Sequence, residues 1–203
     1  ASGVLWVATH GGLSTWNYFS DSFHYYSALN DDLQEDVVTS VGESSNGTLW
    51  IGTYGGGLSS IDPLSGDVQH YRHNKDQPDS LPDDQVMSLL VDQQDRIWVG
   101  MRTGGLAMMK PSQKTFERFV HEPTQVDSLS GNAVSSIFED ANGALWVGVY
   151  GGGLNYSEDG NPNSFERFMH DPSTDTSISG NRVLRVFQEQ NGTIWVGTEG
   201  DGL

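Results

Sequence analysis

One stretch constrains this chain more than any other: Asn46-Gly-Thr-Leu-Trp50-Ile-Gly-Thr-Tyr-Gly-Gly-Gly-Leu58. Close variants surround Trp6, Trp98, Trp146 and Trp195, so these five of the six tryptophans stand 44, 48, 48 and 49 residues apart. A fixed period of this size means a repeat architecture, because each unit is one supersecondary element that buries its apolar faces only against its neighbours.

Within a unit the pattern is that of short strands. Val86 to Val91 is an apolar run, Gln93 to Arg96 a turn, Ile97 to Met101 a second run, and Thr103 to Gly105 a second turn. Leu106 to Met109 and the alternating Thr115 to Val120 complete four strands, and no segment has helical periodicity. Asn46-Gly47, Asn142-Gly143 and Asn191-Gly192 read as two-residue hairpin turns. Four-stranded antiparallel units of about 48 residues predict an all-β fold, a β-propeller. The Trp of each second strand, Trp6, Trp50, Trp98, Trp146 and Trp195, is expected to pack between blades. Two residues after each Trp stands Ala8, Gly52, Gly100, Gly148 or Gly197. Such tiny residues imply a bulky group against that backbone, with the neighbouring blade's Trp as the candidate.

These residues also resemble a family. The (Asn)-Gly-x-Leu/Ile-Trp-Val/Ile-Gly pattern with its glycine run, followed by Asp79-Ser-Leu81, Asp127-Ser-Leu129 and, loosely, Thr176-Ser-Ile178, is similar to the two-component regulator propeller repeat. The resemblance implies a sensor propeller, usually on the periplasmic side of membrane-bound histidine kinases, hybrid two-component regulators or diguanylate cyclases. Propellers of that family commonly have about seven blades. The strand phase here gives three whole blades at about 36–73, 84–121 and 132–170. An incomplete blade at 1–29 (strands from Val4 to Tyr26) precedes them, and another at 181–203 follows. The chain thus reads as an arc of roughly four to five blades within one propeller segment, 1–203. Its ends are expected to self-associate, or to close by pooling their strands.

Composition narrows the partners. Ten Lys+Arg against 27 Asp+Glu give a net charge of −17, which argues against nucleic acid and anionic membrane surfaces. Cysteine is absent, which removes disulfides and thiolate metal sites, and no transmembrane run or signal peptide stands in this stretch. A membrane enters only through segments beyond it. The six histidines fall at no metal-ligand spacing, and the repeat-matched His73, His121 and His170 read as structural. Gly55-Gly-Gly57 and Gly151-Gly-Gly153 lack the Lys and helix of a phosphate loop and read as positive-φ turns. The acidic pairs Asp31-Asp32, Asp83-Asp84 and Glu158-Asp159 lack calcium-loop spacing and read as solvated. No cofactor or metal is expected.

The repeats also serve as their own alignment. Four residues after each Trp the chain has His10, Tyr54, Arg102, Tyr150 and Glu199, although the neighbouring positions barely change. These side chains are expected to ring one mouth of the central channel as a binding rim for a small polar ligand. Arg185 replaces the Ser40, Ser88 and Ser136 of other repeats, and a cation on an innermost strand needs a partner or water; a salt bridge inside the fold is expected ahead of ligand binding. The expected function is a non-catalytic ligand-sensing input domain, with an interaction platform as the alternative and a propeller lyase third. The lyase would need an acid/base pair in the mouth, and none is identifiable.

Overall fold

A computed structural model describes residues 5–18, 20–30, 32–62, 64–111, 113–158, 160–200 and 202. Val4, Asp31, Asp159 and Leu203, which entered the reading above, lie outside the described residues.

Five antiparallel sheets follow one another along the chain. The first has three strands, β1 (Leu5–Thr9), β2 (Gly12–Asn17) and β3 (Ser22–Tyr26). The second comprises β4 (Val38–Glu43), β5 (Leu49–Thr53), β6 (Gly57–Ile61) and β7 (Val68–Tyr71). The third comprises β8 (Val86–Val91), β9 (Ile97–Met101), β10 (Leu106–Met109) and β11 (Glu117–Phe119). The fourth comprises β12 (Val134–Glu139), β13 (Leu145–Val149), β14 (Gly153–Ser157) and β15 (Glu166–Phe168). The fifth has two strands, β16 (Val183–Gln188) and β17 (Ile194–Thr198). Each sheet is a simple meander, with every strand paired to its sequence neighbour, and β4, β8, β12 and β16 lie against one another as the innermost strands. This is the all-β, partial-propeller arc that the repeats predict. Among the described residues the end sheets share no strand pairing: β1 pairs with β2, and β17 with β16 and, through Thr198, with Gly202.

The core is not inside any sheet but between consecutive ones. Trp50 and Leu58 of the second sheet pack with Val86, Ile97, Val99 and Met109 of the third. Trp98, Leu106 and Phe119 pack with Val134, Leu145 and Val147 of the fourth. Leu13 and Trp6 meet Leu49 and Ile51, while Trp146 and Leu154 meet Val183, Val186 and Val196. Trp98 is fully buried, Trp6 and Trp146 are half-buried, and Trp195 is 45% exposed because, among the described residues, no further sheet covers its face.

Two details differ from expectation. The bulky group opposite the small second-strand residue is not the neighbour's Trp. A Cβ at Gly52 would fall 2.5 Å from Cγ1 of Val86, and one at Gly148 would fall 2.6 Å from Cγ1 of Val183. The first valine of the next sheet's inner strand occupies that space, since it is the inner strands that approach most closely. The Asn-Gly turns are also longer than two residues. Ser44 N donates to Thr48 O at 2.9 Å and Gly47 N to Ser44 O at 2.8 Å, with Gly47 at φ 85°. This is the three-residue loop in which a left-handed residue ends a type I turn.

The Asp-Ser-Leu element and the three matched histidines form one device. Leu81 and Leu129 are buried. Nδ1 of His73, His121 and His170 lies 3.1, 2.6 and 2.8 Å from the carbonyl oxygens of Leu81, Leu129 and Ile178. The same histidines donate their backbone N–H to Asp84, Asn132 and Asn181. They fasten each long inter-sheet segment to the strand it leaves.

Candidate functional site

The varied position after each second strand has a constant backbone. The N–H of Tyr54, Arg102, Tyr150 and Glu199 donates to the carbonyl of Val37, Gln85, Ala133 and Arg182, at 2.9, 3.0, 2.8 and 2.9 Å. Each accepting residue immediately precedes an innermost strand. Tyr54 and Tyr150 also bridge to Gln85 and Arg182 at the entrance of the next sheet. The fold therefore fixes where these side chains emanate and leaves their chemistry free.

The side chains link adjacent sheets in pairs. The guanidinium carbon of Arg102 lies 5.9 Å from the ring centroid of Tyr54, within the range of a cation–π contact. One step round the arc, the Tyr150 hydroxyl donates to Oε2 of Glu199. Arg182 reaches the same carboxylate oxygen at 3.4 Å and lies over the Tyr150 ring at 5.9 Å. The hydrogen bond to Glu199, followed by partial burial and the Glu199 charge, raises the Tyr150 phenol above 10.0.

His10 and Tyr54 line an axial cavity of about 710 Å³, together with Thr39, Met87, Ser135 and Arg185 from the inner strands. The five expected rim residues are thus not one pocket. His10 and Tyr54 share the axial cavity, Arg102 joins through Tyr54, and Tyr150 with Glu199 forms a separate cluster. All five are on the surface, with Tyr54 37% and Tyr150 43% exposed.

Two arginines extend the site beyond the sequence reading. Arg182 stands where other repeats have Val37, Gln85 and Ala133; the same repeat comparison that singled out Tyr54 would have found it. Arg185 does not form the expected salt bridge. Its Nη1 donates to the carbonyl oxygens of Ser135 at 2.9 Å and Leu184 at 3.2 Å, and among the described residues no carboxylate lies within ion-pair distance. The cation needs no counter-ion because it sits exposed at the axial cavity, where water and backbone carbonyls solvate it.

Residues 32–55, 80–103, 128–151 and 177–200 match the two-component regulator propeller family. The chain belongs to this family. Each matched segment runs from the end of an inter-sheet link through two strands to the rim position. Two solved relatives from B. thetaiotaomicron share the fold. One is the extracellular domain of BT4673, assigned to a hybrid two-component system: TM-score 0.77, 25% identity, 98% of this chain and 25% of that one. The other is the extracellular domain of BT3049, likewise assigned to a hybrid two-component system: TM-score 0.78, 24% identity, 97% and 26%. The regulator propeller chain spans about a quarter of the length of these relatives. Virginiamycin B lyase of Staphylococcus aureus has the same fold at TM-score 0.69 and 15% identity, over 99% of this chain and 61% of that one. No curated protein matches the sequence.

Proposed function

We propose that this chain is part of an extracytoplasmic, non-catalytic sensor propeller of a membrane-bound signalling protein, and that a small polar organic ligand binds at the rim. The observation that carries the reading is the Tyr54–Arg102 pair beside the axial cavity. Tyrosine offers flat contact area at low entropy cost, and the planar guanidinium fork suits a carboxylate. Tyr150, Glu199 and His10 add acceptors and donors for hydroxyl or amine groups. Membership of the regulator propeller family, whose solved relatives are extracellular domains, supports the placement outside the cytoplasm.

The test is a thermal-shift screen of acidic and sugar-like compounds on the intact sensor protein, followed by titration of variants. Arg102→Ala and Tyr54→Ala should each weaken the ligand found by roughly 1–3 kcal/mol while leaving the melting temperature nearly unchanged. Unchanged affinity in both variants, with the ligand mapped elsewhere, overturns the rim reading. It would favour an interaction platform, which the open placement of Tyr54 and Tyr150 also suits.

A further inference from the structure

The clefts between consecutive sheets are one site repeated, and each has a second-strand Trp at its floor. Their fillings differ. Between the third and fourth sheets the filling is a cation: the Arg96 guanidinium lies 5.1 Å from the Trp98 ring centroid. Its Nε donates to Oδ2 of Asp92 at 2.5 Å and its Nη2 to Gln94 Oε1 at 3.0 Å. Nη2 also reaches toward Gly160 of the fourth sheet's outer loop. Between the fourth and fifth sheets the filling is aromatic, Tyr156, whose ring centroid is 4.5 Å from that of Trp146.

Between the second and third sheets both fillers are lost. The position of Arg96 is taken by Thr48, and that of Tyr156, the partner across from the Trp, by Ser60. A cavity of about 360 Å³ remains beside Trp50 and Tyr71, whose ring centroids are 5.7 Å apart at 36°. Asp62, Asp67 and Asp95 line it, with Lys114 as the only cation among the described lining residues. Asp62 accepts backbone N–H groups of Ser65 and Leu64, and Asp95 accepts the hydroxyl and N–H of Ser45. These bonds hold both carboxyls below the usual carboxylate range, so both are anionic at neutral pH.

We propose that this cleft binds a guanidinium ion supplied from outside the chain, seated against Trp50 and Tyr71 with Asp62 and Asp95 as its counter-ions. The external cation takes the place that Arg96 fills one cleft further on. An aromatic floor with carboxylate neighbours is the chemistry that recognises organic cations, and a chain of net charge −17 attracts them. The guanidinium could belong to a free small molecule or to an arginine side chain of a partner peptide, and the two are separable by experiment.

The intact protein is titrated with methylguanidinium, free arginine and a blocked Gly-Arg-Gly peptide, with sodium chloride at matched ionic strength as the control. Binding is read by calorimetry and by the indole N–H resonance of Trp50. Saturable binding of methylguanidinium is expected. Tighter binding of free arginine marks a small-molecule site, and tighter binding of the peptide marks a peptide site. Asp62→Asn and Asp95→Asn should each weaken it about tenfold, the loss expected for one desolvated cation contact, and Lys114→Ala should tighten it. Ser44→Asp with Thr48→Arg rebuilds the Arg96 arrangement in this cleft and should abolish binding. No saturable signal above the salt control overturns the proposal, and so does a folded double variant that binds as the parent does. If the double variant does not fold, unchanged affinity in Asp62→Asn and Asp95→Asn overturns it.

Discussion

The indole N–H of Trp98 donates a 2.7 Å hydrogen bond to Oδ2 of Asp92, a carboxylate whose side chain has no exposed surface. The same oxygen accepts from Arg96, and Oδ1 accepts the backbone N–H groups of Gln94 and Arg96. Trp98 is therefore both the largest buried apolar group and the donor that keeps a buried charge satisfied. Trp98→Ala should cost roughly 3–5 kcal/mol by urea unfolding, whereas Trp195→Ala, at the half-open last sheet, should cost less than about 1 kcal/mol. Equal losses would mean that burial between sheets is not what stabilises these positions.

Gly148 faces Val183 of the next inner strand at a distance that leaves no room for a methyl group. Gly148→Ala should destabilise by about 1–3 kcal/mol through overpacking. Adding Val183→Ala should recover part of that loss, a coupling readable from a double-mutant cycle. Strict additivity would show that the two residues do not compete for one space.

The Tyr150–Glu199 bond is testable by absorbance titration. In the parent, Tyr150 should ionise above 10.0 because the phenol proton is held by Glu199. Glu199→Gln, which removes the negative charge, should bring it down toward that value. An unchanged titration curve would place the two side chains apart in solution.

His70 gives a pH dependence. Burial, then the Arg72 charge, lowers its pKa below 6.5, and its Nδ1 lies 2.9 Å from the Ser59 hydroxyl. A depressed folded pKa means that the unfolded chain binds the proton first as pH falls, so the contribution is present above about 6.5 and lost below it. Between pH 7.5 and 5.5 the parent's melting temperature should fall further than that of His70→Gln. A parallel fall in both would remove His70 as the cause.

The two end sheets expose large apolar groups, Leu5 and Phe23 at one end and Phe187 and Trp195 at the other. A polypeptide of these 203 residues should therefore self-associate, and Phe187→Glu should shift it toward monomer in sedimentation velocity. A monodisperse parent at high concentration would contradict this.

What the sequence determined by itself is whatever repeats locally. The recurrence of Trp6, Trp50, Trp98, Trp146 and Trp195 in short apolar runs is enough to specify four-stranded meanders and their arrangement as a propeller arc, because strand periodicity and turn residues act over a few positions. The glycine turns were legible for the same reason: Gly57, Gly105 and Gly153 take φ of 76°, 74° and 76°. The varied position after each Trp was legible as a candidate rim, since the repeats expose one free position among fixed ones. Only the tertiary structure decided what happens between sheets. It put Val86 rather than a Trp over Gly52, and it paired Tyr54 with Arg102 and Tyr150 with Glu199. It also gave Arg185 a carbonyl instead of a carboxylate, and it left the Trp50 cleft open where Arg96 closes the next. The contacts of Val86 with Gly52, Tyr54 with Arg102, Tyr150 with Glu199 and Arg185 with Ser135 join residues of neighbouring sheets, 34 to 50 positions apart, and a side chain's partner at that distance depends on how two separate sheets pack, which no local pattern encodes.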